Sequence, residues 1–197
     1  MAIVLVIIGL ILGAAVKGKD VIHSAKQKKF YTSFLKPWEL AVGSYYDRTG
    51  KLLGDGRANG GLEDFANGRF DNVYRENDLG GINPALKRVG ITPLQTNGAN
   101  NFSYPYTGAY SGSREIGVGF CAFRDGSGSG VIGNYLYFYY LSTDLAIAMD
   151  TLIDGQKDGI AGKWRYYEDG TYIAGGADWP DASTTPVVNA AYRIDLP

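Results

Sequence analysis

Asp150, Asp154 and Asp158 recur every four residues, with Gly155 and Gly159 in the turns after them. Carboxylates so spaced around glycine turns could bring hard oxygen ligands to a calcium ion. The spacing is not that of an EF-hand, and solvated turn aspartates would give the same pattern. Other chemistry-bearing residues are sparse. His23 is the only histidine and stands beside Ser24 among lysines, so neither a histidine metal cluster nor a Ser-His-Asp arrangement is supported. Cys121 is the single cysteine, which excludes an intramolecular disulfide; with Phe120 and Phe123 near it, it reads as a buried thiol on a strand. Gly128 to Gly133 fits Gly-x-Gly-x-x-Gly but runs into the strand-like Tyr135 to Tyr140, where a dinucleotide site needs a helix N-terminus. It reads as a hairpin turn. No catalytic or cofactor-binding residue emerges, and an enzyme is not expected.

The elements that would carry the acidic loop are legible on both sides of it. Glu115 to Phe123 and Val131 to Leu141 are rich in Val, Ile, Tyr and Phe and are separated by the Gly/Ser turn Asp125 to Gly130, the pattern of a hairpin. Thr143 is placed to cap a short helix over Asp144 to Leu152, and Lys163 to Tyr167 reads as a further strand. The tail from Ala174 carries Gly, Asp and Pro throughout, so it is expected to wrap the surface and to end in an edge strand at Ala191 to Leu196. Earlier in the chain, Lys51 to Asp78 is a long surface loop by composition. Asn83-Pro84 then signals a cap and first turn for a short helix over Ala85 to Val89, with Leu86 and Val89 on its core face.

The N-terminus is different in kind. Residues 1–16 carry no charge, and the chain then turns abruptly to Lys17-Gly18-Lys19-Asp20. Sixteen residues of helix give roughly 24 Å against a hydrocarbon core of about 30 Å, membrane-like but slightly short. No basic residues precede the run and no convincing cleavage site follows it, so it does not read as a secretory signal. From Lys26 to Tyr46 the apolar residues Phe30, Phe34, Leu35, Ala41, Val42 and Tyr45 fall at helical spacing, so one helix of about 47 residues is expected, loosened near Ser33 to Lys36 by Pro37 and stopped at Gly50. The resulting division is 1–16 as an apolar helix half, 17–47 as an amphipathic half and 48–197 as one α+β head with a small antiparallel sheet. With 19 basic and 20 acidic residues there is no bulk electrostatic case for nucleic acid. The lysines from Lys17 to Lys36 read first as a solvated or headgroup-contacting helix face, with DNA contact as the lesser alternative.

A long helix, apolar then amphipathic, leading through a loop into a small antiparallel sheet resembles the plan of the type IV pilins and type II secretion pseudopilins. Ala2 to Gly13 looks like the latter part of the prepilin-type helix segment, and Tyr46 to Asp55, with Asp47-Arg48-Thr49-Gly50 and Gly54-Asp55, resembles a pseudopilin pattern in which Leu53 stands where that family has proline. Asp144 to Asp150 and Leu152 to Gly155 resemble the family's short helix and acidic turn, and an acidic C-terminal loop holds calcium in some major pseudopilins. The basic leader, the cleavage glycine and the early glutamate of the family are absent. If the register is taken from Gly9, Met1 falls about five residues after the expected mature terminus, and the completed run would be about 21 residues or roughly 31 Å. The expectation is therefore an upstream start, with Met1 internal.

The resemblance implies a subunit that spans the inner membrane once and is then extracted into a periplasmic or extracellular filament. Its partners would be copies of itself, other pilins, a prepilin peptidase and an assembly platform. Ile3, Val4, Leu5, Ile7, Ile8, Leu10 and Leu12 would supply packing area, with Gly9 and Gly13 permitting close helix approach. Lysines only after the run would, by the positive-inside rule, place the head in the cytoplasm, opposite to the family's topology; the absent basic leader would normally supply the competing charge. The alternative is a singly anchored β-rich module that binds glycans or DNA through the Tyr104 to Tyr110 aromatics and Gly-rich loops without polymerising.

Overall fold

A computed structural model describes residues 2–74, 78–126 and 130–196, with the side chains of residues 2–7 and 9–16 outside the description. The chain opens with helix α1 (Ala2–Phe30), a single π-helical stretch (Tyr31–Leu35) and helix α2 (Lys36–Thr49). The break falls where Pro37 removes a backbone donor and crowds the preceding turn. Hydroxyls take over there: Thr32 Oγ1 donates to the Lys28 carbonyl at 3.0 Å and Ser33 Oγ to the Lys29 carbonyl at 2.5 Å. Gly50, at φ 65°, ends α2 in the left-handed conformation that glycine adopts without steric cost.

Among the described side chains of this helical stretch, those at its far end are core. From Lys17 to Lys29 every residue is exposed except the half-buried His23 and Gln27, whereas Phe30, Phe34, Leu35, Trp38, Val42 and Tyr45 are buried. Among the described residues, no helix is long and apolar enough to cross a membrane.

The head is built on a six-stranded sheet of β1 (Ser103–Gly108), β2 (Gly112–Asp125), β3 (Ile132–Ser142), β4 (Trp164–Tyr167), β5 (Ile173–Ala174) and β6 (Val187–Ile194), in the order β1-β2-β3-β6-β4-β5. All neighbours are antiparallel, but β5 also meets β2 in parallel at Arg124↔Ile173 and Asp125↔Ala174, so the sheet curls back on itself. One face takes the helix: Phe30 and Phe34 pack on Tyr104 and Phe138, and Trp38 stacks on Phe102 at 5.2 Å. Helices α3 (Ile82–Arg88) and α4 (Thr143–Asp154) complete that layer.

Four expectations need correction. The tail does not end in an edge strand: β6 lies between β3 and β4, pairing with both, because Val188, Ala190, Tyr192 and Ile194 alternate onto the helix-packed face. Thr143 is the first residue of α4 and not its cap; its hydroxyl donates to the Thr185 carbonyl, while Ser142 occupies the cap position in extended backbone. Likewise α3 begins at Ile82, before Asn83, whose side-chain oxygen is buried without a partner.

The fourth concerns the loop after Gly50, which is not a mere surface excursion. Asp71 Oδ2 accepts the amides of Gly56, Leu62 and Glu63 at 2.7–2.9 Å, and Asp55 accepts those of Asn67 and Gly68 at 2.8 Å. Two buried carboxylates thus satisfy five backbone donors that a Gly-rich segment cannot pair in regular structure. The hairpin of β2 and β3 forms as expected; residues 128 and 129 of the Gly128 to Gly133 turn lie outside the described residues.

Candidate functional site

The acidic loop follows α4 and precedes β4, and each of its three carboxylates closes its own turn. Asp150 is fully buried; its Oδ2 accepts from Gly159 N at 3.0 Å and from Trp179 Nε1 at 2.6 Å, while Oδ1 has no hydrogen-bond partner. Burial pushes the Asp150 carboxyl above the usual range, the Trp179 and Gly159 donors oppose it, and the charges of Asp154 and Asp158 add to the rise. Asp154 accepts the amides of Lys163 and Trp164 at 3.0 and 2.8 Å. Asp158 accepts those of Ile160 and Ala161, which hold it below the usual range. Among the described residues, no group of three His, Cys, Asp or Glu side chains is placed to hold a metal ion.

The Tyr104 to Tyr110 aromatics do not form a binding surface. Tyr104 and Tyr106 face the helix and are buried, leaving only Tyr110 exposed. Of the assembly residues named above, Ile8 is 48% exposed, and the side chains of Ile3, Val4, Leu5, Ile7, Gly9, Leu10, Leu12 and Gly13 lie outside the described residues. Among the described residues, the contact between α1 and the head nearest the N-terminus is made at His23, whose Nε2 lies 2.9 Å from Asp144 Oδ2, with the ring edge-on to Tyr106.

On the sheet face away from the helix, the structure gathers an aromatic cup that the sequence did not announce. In β3, Tyr135, Tyr137 and Tyr139 alternate with Leu136 and Phe138, so the tyrosines point away from the main core. In β2, Gly117 and Gly119 share their face. A Cβ at Gly117 would lie 2.0 Å from the Tyr139 ring and one at Gly119 would lie 2.3 Å from Tyr74 Cβ, so glycine at these two positions makes room for both tyrosines. Tyr74 arrives on the preceding loop, held by the reciprocal Val73 and Phe120 backbone hydrogen bonds of 2.9 and 2.8 Å. Tyr167 comes from β4 and Tyr172 from the turn before β5.

The cup encloses a cavity of about 300 Å³ lined by Asn72, Tyr74, Cys121, Phe123, Tyr137, Tyr167, Asp169, Gly170 and Tyr172. Tyr137 meets its neighbours near right angles, at 85° to Tyr74, 79° to Phe123 and 71° to Tyr167 with centroids 5.1–5.9 Å apart, while Phe123 and Tyr167 lie at 31° to each other with centroids 4.3 Å apart. Asp169 Oδ1 is fixed at the edge by the Tyr137 hydroxyl at 3.3 Å and by Asn189 Nδ2 at 2.7 Å. Burial, reinforced by the Asp169 charge, raises Tyr137 and takes Tyr167 up to about 12, so both rings stay neutral at physiological pH. Burial alone pushes the Cys121 thiol upward, leaving it an unreactive floor residue.

Of the three described non-glycine residues with positive φ, Asn72 (59°) and Tyr172 (55°) line this cup and Tyr140 (59°) lies in the neighbouring β3 bulge. Asn72 suits that conformation and its Oδ1 accepts from Ala122 N. Tyr140 is the extra residue of a bulge between Phe138 and Leu141, with its amide donated to Asn189 Oδ1. For a tyrosine the left-handed region costs about 1–2 kcal/mol, and such strain is concentrated at functional sites more often than elsewhere.

At the closed end of the sheet, Asp125 Oδ1 lies 2.8 Å from Arg165 and Oδ2 lies 3.2 Å from Arg193, which reaches Asp195 at 2.8 Å. This chain of charges ties β2, β4 and β6 together. Comparison with known protein families, characterised proteins and solved structures returned no match.

Proposed function

We propose that this chain is a structural subunit of a type IV pilus or pseudopilus-like filament, anchored in the inner membrane by its N-terminal helix and then polymerising through that helix with copies of itself and other pilins. The observation that carries the reading is the unpartnered arm. Ahead of His23, where the helix still meets Asp144 and Tyr106, α1 extends roughly 32 Å at about 1.5 Å per residue, and among its described side chains the apolar Ile8, Val21 and Ile22 are about half or more exposed. Apolar side chains displayed along an arm of this length gain stability by packing against like helices. The head needs no such partner, since its own core is closed by Phe30, Phe34 and Trp38.

Replacing Ile8 with Asp tests the assignment of the arm. Filament formation should be lost while the head retains its melting temperature; filaments persisting in the Ile8→Asp variant would contradict assembly through the arm. A singly anchored binding module that does not polymerise is the second reading, favoured by the aromatic cup on the face opposite the helix.

A further inference from the structure

We propose that the aromatic cup is a binding site for a methylated or quaternary ammonium group, recognised by the ring faces of Tyr74, Tyr137, Tyr167 and Tyr172 and by the carboxylate of Asp169. The proposal concerns the sheet face opposite the helix and does not depend on how the N-terminal arm is used.

Three observations converge on that ligand chemistry. The first is ring geometry. A flat sugar ring is suited by a broad coplanar platform, whereas Tyr137 stands nearly perpendicular to Tyr74, Phe123 and Tyr167, and only Phe123 and Tyr167, at 31° to each other, approach a common plane, so rings of more than one orientation line the cavity. That is the arrangement which attracts a compact cation. The second is charge. Among the described residues, Asp169 is the only Asp, Glu, Lys, Arg or His that lines the cavity. Its Oδ1 is oriented by Tyr137 and Asn189, so the negative charge is held at the cup edge before any ligand arrives. A nucleic-acid phosphate would meet repulsion there.

The third is size and access. A cavity of about 300 Å³ stands at the lower end of small-molecule sites, which suits a headgroup and not an oligosaccharide. The floor residues Cys121, Phe123, Tyr137 and Tyr167 are buried, while Tyr172 is 65% exposed at the rim on a left-handed backbone. A rim tyrosine held in that conformation has a ring free to cover a group resting on the floor. The Tyr137 and Tyr167 hydroxyls, held neutral by burial, add no charge of their own.

The test uses the full chain in a polyoxyethylene detergent, titrated with choline and, separately, with its uncharged isostere 3,3-dimethyl-1-butanol, followed by calorimetry and tyrosine fluorescence. Choline should bind and the isostere should not. Tyr172→Ala should weaken choline binding roughly tenfold, in line with one lost cation–π face, and Asp169→Asn should weaken it while leaving the melting temperature close to that of the parent chain. Equal binding of the isostere, no binding of choline, or binding untouched by both substitutions would overturn the proposal. So would saturable binding of a neutral chito-oligosaccharide in place of choline.

Discussion

Replacing Phe34 with Ala should cost far more than replacing Val21 with Ala, although both residues belong to the same continuous helical stretch. Phe34 is fully buried, with ring centroids 5.7 Å from Phe30, 5.4 Å from Tyr104 and 6.1 Å from Phe138. Removing it deletes a ring's worth of apolar burial and leaves a void bounded by three rigid aromatic neighbours, which cannot readily collapse; the cost of such a change is about 3–5 kcal/mol. For a chain of this size each kcal/mol moves the midpoint by about 2–4 °C, so the melting temperature should fall by roughly 10 °C. Val21 is 68% exposed, and its truncation should change stability by no more than about 0.5 kcal/mol. Thermal unfolding of the detergent-solubilised full chain, followed by near-ultraviolet circular dichroism, reads the tertiary core directly. Comparable destabilisation by the two substitutions would refute the division of the helix into an exposed part ahead of His23 and a core segment from Phe30.

Three further outcomes follow from the head. Asp125→Ala leaves Arg165, whose side chain is 7% exposed, without its carboxylate and should destabilise the head by about 3–5 kcal/mol in urea; a loss below about 1 kcal/mol would show that the charge chain is ornamental. Asp150 binds its proton more tightly in the folded state than in the unfolded one. Its stabilising contribution is therefore present at acid pH and is lost as pH rises from the usual carboxylate range through the raised folded value. Asp150→Asn should accordingly become more stable relative to the parent as pH rises through that window, whereas a pH-independent difference in melting temperature would contradict the burial argument. Because Asp150, Asp154 and Asp158 each accept hydrogen bonds in separate turns and no three carboxylates converge among the described residues, millimolar calcium should leave the melting temperature unchanged. A calcium-dependent rise that disappears in Asp154→Ala would overturn that view of the loop.

The parts of this fold that were legible in the sequence are those governed by local rules. Helical spacing from Phe30 to Tyr45, the loosening before Pro37, the stop at Gly50 and the β2–β3 hairpin all follow from period and punctuation. What was missed depends on distant partners. The alternation of Val188, Ala190 and Tyr192 is a strand signal, but nothing local shows that β3 and β4 lie on either side of it. The tethering of the Gly-rich loop by Asp55 and Asp71 arises from backbone donors up to fifteen residues away, which composition does not reveal. The aromatic cup had a partial signature: tyrosine at every second residue from Tyr135 to Tyr139, opposed to glycine at 117 and 119. Tyr74, Tyr167 and Tyr172 reach it from separate segments, so only tertiary structure assembles the site.

The central claim, that the projecting N-terminal arm is an assembly element, is tested most directly by electron microscopy of cell-surface fractions combined with mass spectrometry of what is seen. The account predicts helical filaments whose peptides include this chain, with heads on the outside and the arms packed at the axis. A chain that persists as a membrane-bound monomer, with no filament containing it, would contradict the claim.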